Sequence, residues 1–192
     1  MGWTWKCASA YKENGKVDQK AECDKLFTKE FTVLKSCMKG NVYYAAVKKT
    51  AEDGTKIVFA AVILTSLRNI SGMNFGYKEM EESMGPVETK CPTSILNLLT
   101  KTKSEFALSW REQCRNYNEN EKEKRRKRKI LSDAVDGTKI RFVTNFSDKF
   151  GVFKKGDLIK AVKIHTGGLE RWFDGIYSWR TAQIPENYTL EK

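Results

Sequence analysis

Apolar and polar positions follow two different rhythms along the chain, and the change falls after Lys129. Trp3-Thr-Trp-Lys-Cys-Ala8 reads as a first strand, and Asn14-Gly15 marks a turn. Asp18 is placed to cap a helix through Phe27, with Ala21, Leu26 and Phe27 as its apolar face. Phe31–Met38 and Val42–Val47 read as strands joined at Gly40-Asn41, and Glu52-Asp-Gly54 carries the Asp-Gly hairpin signal. Lys56–Thr65 is apolar on both faces, which predicts a central strand of the sheet. Asn74–Met84 reads as a helical turn or two ended by Gly85-Pro86. Cys91-Pro92 opens a short helix over Ser94–Leu99. Ser104 begins the longest helix, with Phe106, Ala107, Trp110 and Cys114 at helical spacing and its end running into a basic segment.

Beyond Lys129 the runs are short and alternate. Gly137–Val143, Asp157–Ile164, Leu169–Phe173 and Ile176–Arg180 read as strands, with a hairpin signal at Gly167-Gly168. The expected fold class is therefore α+β. An antiparallel sheet with helices on one face is followed by a small SH3-like β-barrel domain. The expected division is an α+β domain over 1–118, a basic helical linker over 119–130 and the small β-barrel over 131–192. No internal repeat is visible.

Composition narrows the class. Of 192 residues, 40% are apolar and 31% charged, too apolar for a disordered chain and too polar for a membrane protein. The longest apolar run, Ile57–Leu64, is strand-length and far short of a bilayer span. Met1-Gly-Trp-Thr-Trp-Lys-Cys7 lacks the regions of a signal peptide, and Lys6 stands where a myristoylation site places Ser or Thr. The expected location is the cytoplasm, with no membrane partner. Five cysteines (Cys7, Cys23, Cys37, Cys91 and Cys114) show no CxxC spacing, and the one histidine, His165, is remote from them in sequence. That pattern predicts free thiols in a reducing compartment, with no metal site and no cofactor.

Charge changes the picture most. The net charge is +11, and Glu119–Lys129 holds seven Lys/Arg against three Glu, a net +4 in eleven residues. Residues 1–118 carry +5 and residues 130–192 carry +2. Clustered cations neutralise phosphates and release counterions, giving sequence-blind, salt-dependent binding. Lys122, Lys124, Arg125, Arg126, Lys127, Arg128 and Lys129 are the candidate phosphate contacts. The plain alternative is a solvated helix tail whose Glu residues pair with its Lys and Arg at i,i+4. Arg171 and Arg180 join the set because Trp172, Phe173, Tyr177 and Trp179 lie between them and offer a stacking platform. Alternation puts Trp172 and Phe173 on opposite faces, so part of that cluster is core.

The stretch Phe75–Pro86 followed by Cys91-Pro92 concentrates Tyr77, Lys78, Glu79, Glu81, Glu82 and Cys91. A thiol at a helix N-terminus has its thiolate favoured, but a nucleophile needs a base, and Glu81 and Glu82 would point to different helix faces. The bland reading is a surface helix and capped turn. The pattern Gly76-Tyr-Lys-Glu-Met-Glu-Glu-Ser-Met-Gly-Pro86, then Cys91-Pro92, Ile95-Leu96 and Trp110-Arg111, with Met1-Gly-Trp-Thr and Gly15–Cys23, resembles an uncharacterised family encoded on bacterial phages and conjugative elements. The resemblance covers about residues 1–115, more loosely the C-terminal piece, and transfers no catalytic residue. It marks Tyr77, Lys78, Glu79, Glu82, Cys91, Trp110 and Arg111 as a candidate motif surface and implies a mobile-element context.

The leading functional expectation is a non-enzymatic accessory or counter-defence protein that binds DNA or RNA, or a host nucleic-acid–protein complex. Two alternatives stand beside it: a protein–protein inhibitor with an acidic partner, and an enzyme using Cys91 and nearby carboxylates.

Overall fold

The computed structural model describes residues 4–8, 18–69, 72–79, 87–163 and 170–191. The chain forms two compact units, Met1–Asn120 and Glu121–Lys192.

The first unit is built on five antiparallel strands. These are β1 (Thr4–Ala8), β2 (Thr32–Lys39), β3 (Val42–Thr50), β4 (Lys56–Asn69) and β5 (Gly72–Glu79), in the order β1-β5-β4-β3-β2. Gly40 and Gly54 take positive φ, 60° and 82°, in the tight turns on either side of β3. Such a φ is nearly cost-free only for glycine. The strand apolar on both faces, β4, is the middle of the sheet. The helix α1 (Gln19–Phe27) starts where the Asp18 carboxylate accepts the Ala21 N–H at 3.1 Å. It lays Cys23 and Phe27 on Tyr43, Ala45, Val47, Phe59, Ala61 and Ile63. The alternate residues of the same strands, Val42, Tyr44, Ala46, Ala60 and Val62, pack on Cys91, on Ile95 and Leu96 of α2 (Thr93–Leu96), and on Trp110 and Cys114 of α3 (Glu105–Ser132).

Helices therefore cover both faces of the sheet, not the single face expected. The cause is visible in β3, where all six residues from Val42 to Val47 are buried. A strand apolar on both sides leaves an oily surface exposed unless each side is covered.

A second correction concerns Asn74–Met84, expected to be helical. Gly72–Glu79 is instead strand β5, paired with β4 on one side and β1 on the other. Met73, Phe75 and Tyr77 recur at period two, and β4, at 14 residues, is long enough to pair with both β3 and β5. A ready ladder decides a short, ambiguous segment. Residues 80–86 lie outside the described ones.

The second unit contains β6 (Lys139–Phe142), β7 (Phe146–Asp148), β8 (Gly151–Phe153), β9 (Leu158–Lys163), β10 (Glu170–Phe173), β11 (Ser178–Arg180) and β12 (Tyr188–Glu191), with a single 3₁₀ turn at Thr181–Gln183. Five strands form an open antiparallel sheet, β11-β10-β9-β6-β12, while β7 and β8 pair only with each other. Its core gathers Leu131, Ile140, Phe142, Phe153, Ile159, Trp172, Trp179, Ile184 and Tyr188. The expected SH3-like barrel does not appear: among the described residues no sheet closes. Strands of three to six residues end before the ribbon can join the main sheet, so β11 and β12 remain edges. The hairpin signal at Gly167-Gly168 falls outside the described residues.

Candidate nucleic-acid interface

The basic segment is helical throughout, forming the C-terminal half of α3, and from Glu121 onward it belongs to the second unit. Four of its seven cations are occupied. Arg126 makes a bidentate pair with Glu123, 2.7 Å on each arm, and Lys124 reaches Glu121 at 3.2 Å. Glu123 is held below its usual range by the Arg126 hydrogen bond, and Arg126 is raised in return. Lys127 is half-buried. Its ammonium donates to the Glu186 carbonyl at 2.6 Å and lies 5.8 Å over the Tyr188 ring, while the Tyr188 hydroxyl donates to the Lys127 carbonyl at 2.6 Å. Burial pushes the Tyr188 phenol up to about 12. Arg128 pairs with Glu186 at 2.7 Å and reaches the carbonyls of Thr181 and Ala182. Lys127 and Arg128 thus pin the helix to the strand-rich part of its own unit, which a solvated linker would not need.

Lys122, Arg125 and Lys129 remain. Each is exposed and makes no ion pair with any described residue. Their i, i+3, i+7 spacing puts them on one stripe of the helix, roughly 10 Å long. Leu131, buried in the core, marks the opposite side of the helix.

Arg171 and Arg180 face each other directly across β10 and β11. Neighbouring register positions carry Trp172 opposite Trp179, both buried, so the arginines occupy the other face. Arg171 donates to the Ser178 hydroxyl at 3.0 Å, and the Arg180 guanidinium has no partner among the described residues. Because Arg128 touches the carbonyl of Thr181, the residue after Arg180 lies against the basic helix. The four-ring platform is not present as expected, since Trp172 and Trp179 fill the core and only Phe173 and Tyr177 stand exposed.

Three of the seven motif residues, Cys91, Trp110 and Arg111, are interior. Trp110 is buried and donates its indole N–H to the Glu88 carbonyl at 2.9 Å. Arg111 is buried and donates to the Thr100 carbonyl at 2.7 Å. Cys91 is fully buried beside Cys114, and desolvation drives its thiol far above the normal range, the reverse of an activated nucleophile. Burial likewise pushes Cys23 and Cys114 up to about 12. Cys91, Trp110 and Arg111 therefore form no part of a surface. Tyr77, Lys78 and Glu79 sit in β5 opposite Ile63, Val62 and Ala61, and Glu82 lies outside the described residues.

Among the described residues no three His, Cys, Asp or Glu side chains are grouped to hold a metal, and no helix is long and apolar enough to cross a membrane. Sequence reasoning missed one concave site altogether, a cavity in the second unit lined in part by Phe150, Val152, Asp174 and Tyr177. Its one local signal was the Asp174-Gly175 turn. Comparison with protein-family models, with curated proteins and with solved structures finds no match.

Proposed function

We propose that the second unit binds the phosphate backbone of a nucleic acid through Lys122, Arg125 and Lys129, with Arg180 and Arg171 as flanking contacts. The observation that carries this is the stripe itself. Three cations share one exposed helix face without a compensating carboxylate, although three Glu residues lie in the same segment. Like charges at i,i+3 and i,i+4 destabilise a helix by a few tenths of a kcal/mol each, and a polyanion reverses the sign. The unit as a whole has seventeen Lys/Arg against ten Asp/Glu, so its field favours such a ligand. The mobile-element context, as an accessory or counter-defence protein, rests on the resemblance of the Gly76–Pro86 and Cys91–Arg111 segments alone.

Nuclease-treated protein titrated with a labelled duplex and a labelled single strand across a salt series tests the reading. The parent binds at low salt with a steep salt slope. The triple change Lys122→Gln, Arg125→Gln, Lys129→Gln lowers that slope by about two to three, whereas Lys124→Gln with Arg126→Gln lowers it by less. A flat salt response, or a triple variant that binds like the parent, overturns the proposal.

A further inference from the structure

The second unit holds a cavity of about 470 Å³ between the β7–β8 ribbon and the β10–β11 turn. Phe150, Val152, Tyr177 and Trp179 form its apolar lining, and Asp174, Ser178 and Gln183 supply the polar groups. No Lys or Arg lines it. We propose that this cavity binds an organic cation, an alkylammonium or guanidinium head group, by enclosing it with aromatic rings beside one carboxylate.

The local sequence builds the site. The Asp174 carboxylate accepts the N–H groups of Ile176 and Tyr177 through Oδ1, at 2.8 and 2.7 Å, which fixes the turn. Its second oxygen has no partner among the described residues, and Asp174 is one of the residues that line the cavity. Tyr177 is 65% exposed and lies 6.3 Å from Trp179, centroid to centroid, with the planes at 52°. Two rings tilted at such an angle do not stack on each other, and both line the cavity. Trp179 is anchored from below by Phe153, 5.0 Å away, and its indole N–H donates to the Phe150 carbonyl at 3.2 Å, tying ribbon to sheet. Gly151 permits that approach, because a Cβ there would stand 3.1 Å from the indole nitrogen.

The rings attract a positive charge through their faces, and the carboxylate adds a direct charge term. Lys149 already sets its ammonium 4.9 Å above the Phe150 ring, so the chain itself uses that ring as a cation acceptor. The volume is in the range of small-ligand pockets. Asp174 is the one charged residue among those that line the cavity, so the cavity is separate in chemistry from the cationic helix stripe, and its test does not depend on nucleic-acid binding.

The full chain is titrated with choline and with its neutral isostere 3,3-dimethylbutan-1-ol, followed by the amide and indole N–H resonances of Tyr177 and Trp179. Choline shifts both saturably, and the isostere binds at least tenfold more weakly. Asp174→Asn keeps an acceptor for the turn but removes the charge, and it weakens choline at least tenfold; Tyr177→Leu does the same by removing a ring. A short peptide bearing trimethyl-lysine, run alongside, identifies the source: tighter binding than choline assigns the head group to a protein side chain, and equal binding to a free small cation. The triple helix variant binds choline like the parent. Equal affinity for the isostere, an unchanged Asp174→Asn variant, or saturable shifts with adenosine monophosphate but none with choline overturns the proposal.

Discussion

In the first unit, Trp110 and Arg111 turn their donors to the backbone carbonyls of Glu88 and Thr100 inside a core closed on both sides of the sheet. In the second, Ile176 and Tyr177 stand 79% and 65% exposed, and three helix cations lack a counter-charge among the described residues. The same residue types do opposite things. Where a sheet is apolar on both faces, aromatic and ionic groups are drawn in and satisfied by the backbone. Where a sheet is short and open, a smaller core takes in Trp172 and Trp179 and leaves Phe173 and Tyr177 at the surface, available to a ligand.

The largest test of that contrast removes one ring from each unit. Trp110→Ala opens a cavity in a sealed core and removes the hydrogen bond to the Glu88 carbonyl, so a loss of about 3–5 kcal/mol is expected in urea unfolding. Tyr177→Ala takes away a larger exposed area but is expected to stay within about 0.5 kcal/mol. Similar losses at the two positions would remove the distinction between an interior that uses its chemistry up and a surface that offers it.

How much of this was legible follows the same division. The central place of β4 could be read because Ile57–Leu64 is apolar without interruption, and a strand covered on both sides has no other pattern. Asp18 at the start of α1 was legible as a local cap. The second helical layer was implied by Val42–Val47 as well, since a strand apolar on both faces needs cover on each, and the single-face expectation overlooked it. Gly72–Glu79 was misread because its strand character is supplied by β4 and β1, both distant in sequence. The basic run was found at once, but its seven cations looked alike. Glu186, 58 residues from Arg128, is what separates the pinned ones from the exposed stripe. The aromatic cavity was illegible because its lining comes from segments 22 residues apart at the nearest.

A smaller effect sharpens the comparison through pH. Asp24 is raised by partial burial, but hydrogen bonds from Lys20, Ser36 and Tyr43 outweigh this and leave its carboxyl below the ordinary value. A depressed folded value contributes stability that is present above the unfolded value, near 3.9, and is lost as pH falls through the folded one. Asp24→Asn should therefore cost about 1 kcal/mol or less at neutral pH, given solvent screening, with the gap closing below about pH 4. Urea midpoints of parent and variant from pH 7 to pH 2.5 check this. A gap that widens in acid would show that the Tyr43 hydroxyl, 2.6 Å from Asp24, does not depend on the charge.

The smallest expected change in stability is also the one that bears most on function. Neutralising Lys122, Arg125 and Lys129 removes mutual repulsion along one helix face and no ion pair with a described residue, so unfolding should shift by less than about 0.5 kcal/mol, toward greater stability. The pinned positions respond oppositely. Glu186→Gln loses its charge against Arg128 while keeping the backbone carbonyl that holds Lys127, and a loss of up to about 1 kcal/mol is expected. If the stripe variant instead destabilises as much as Glu186→Gln, the three cations serve the fold, and the second unit would resemble the first in using its charges internally.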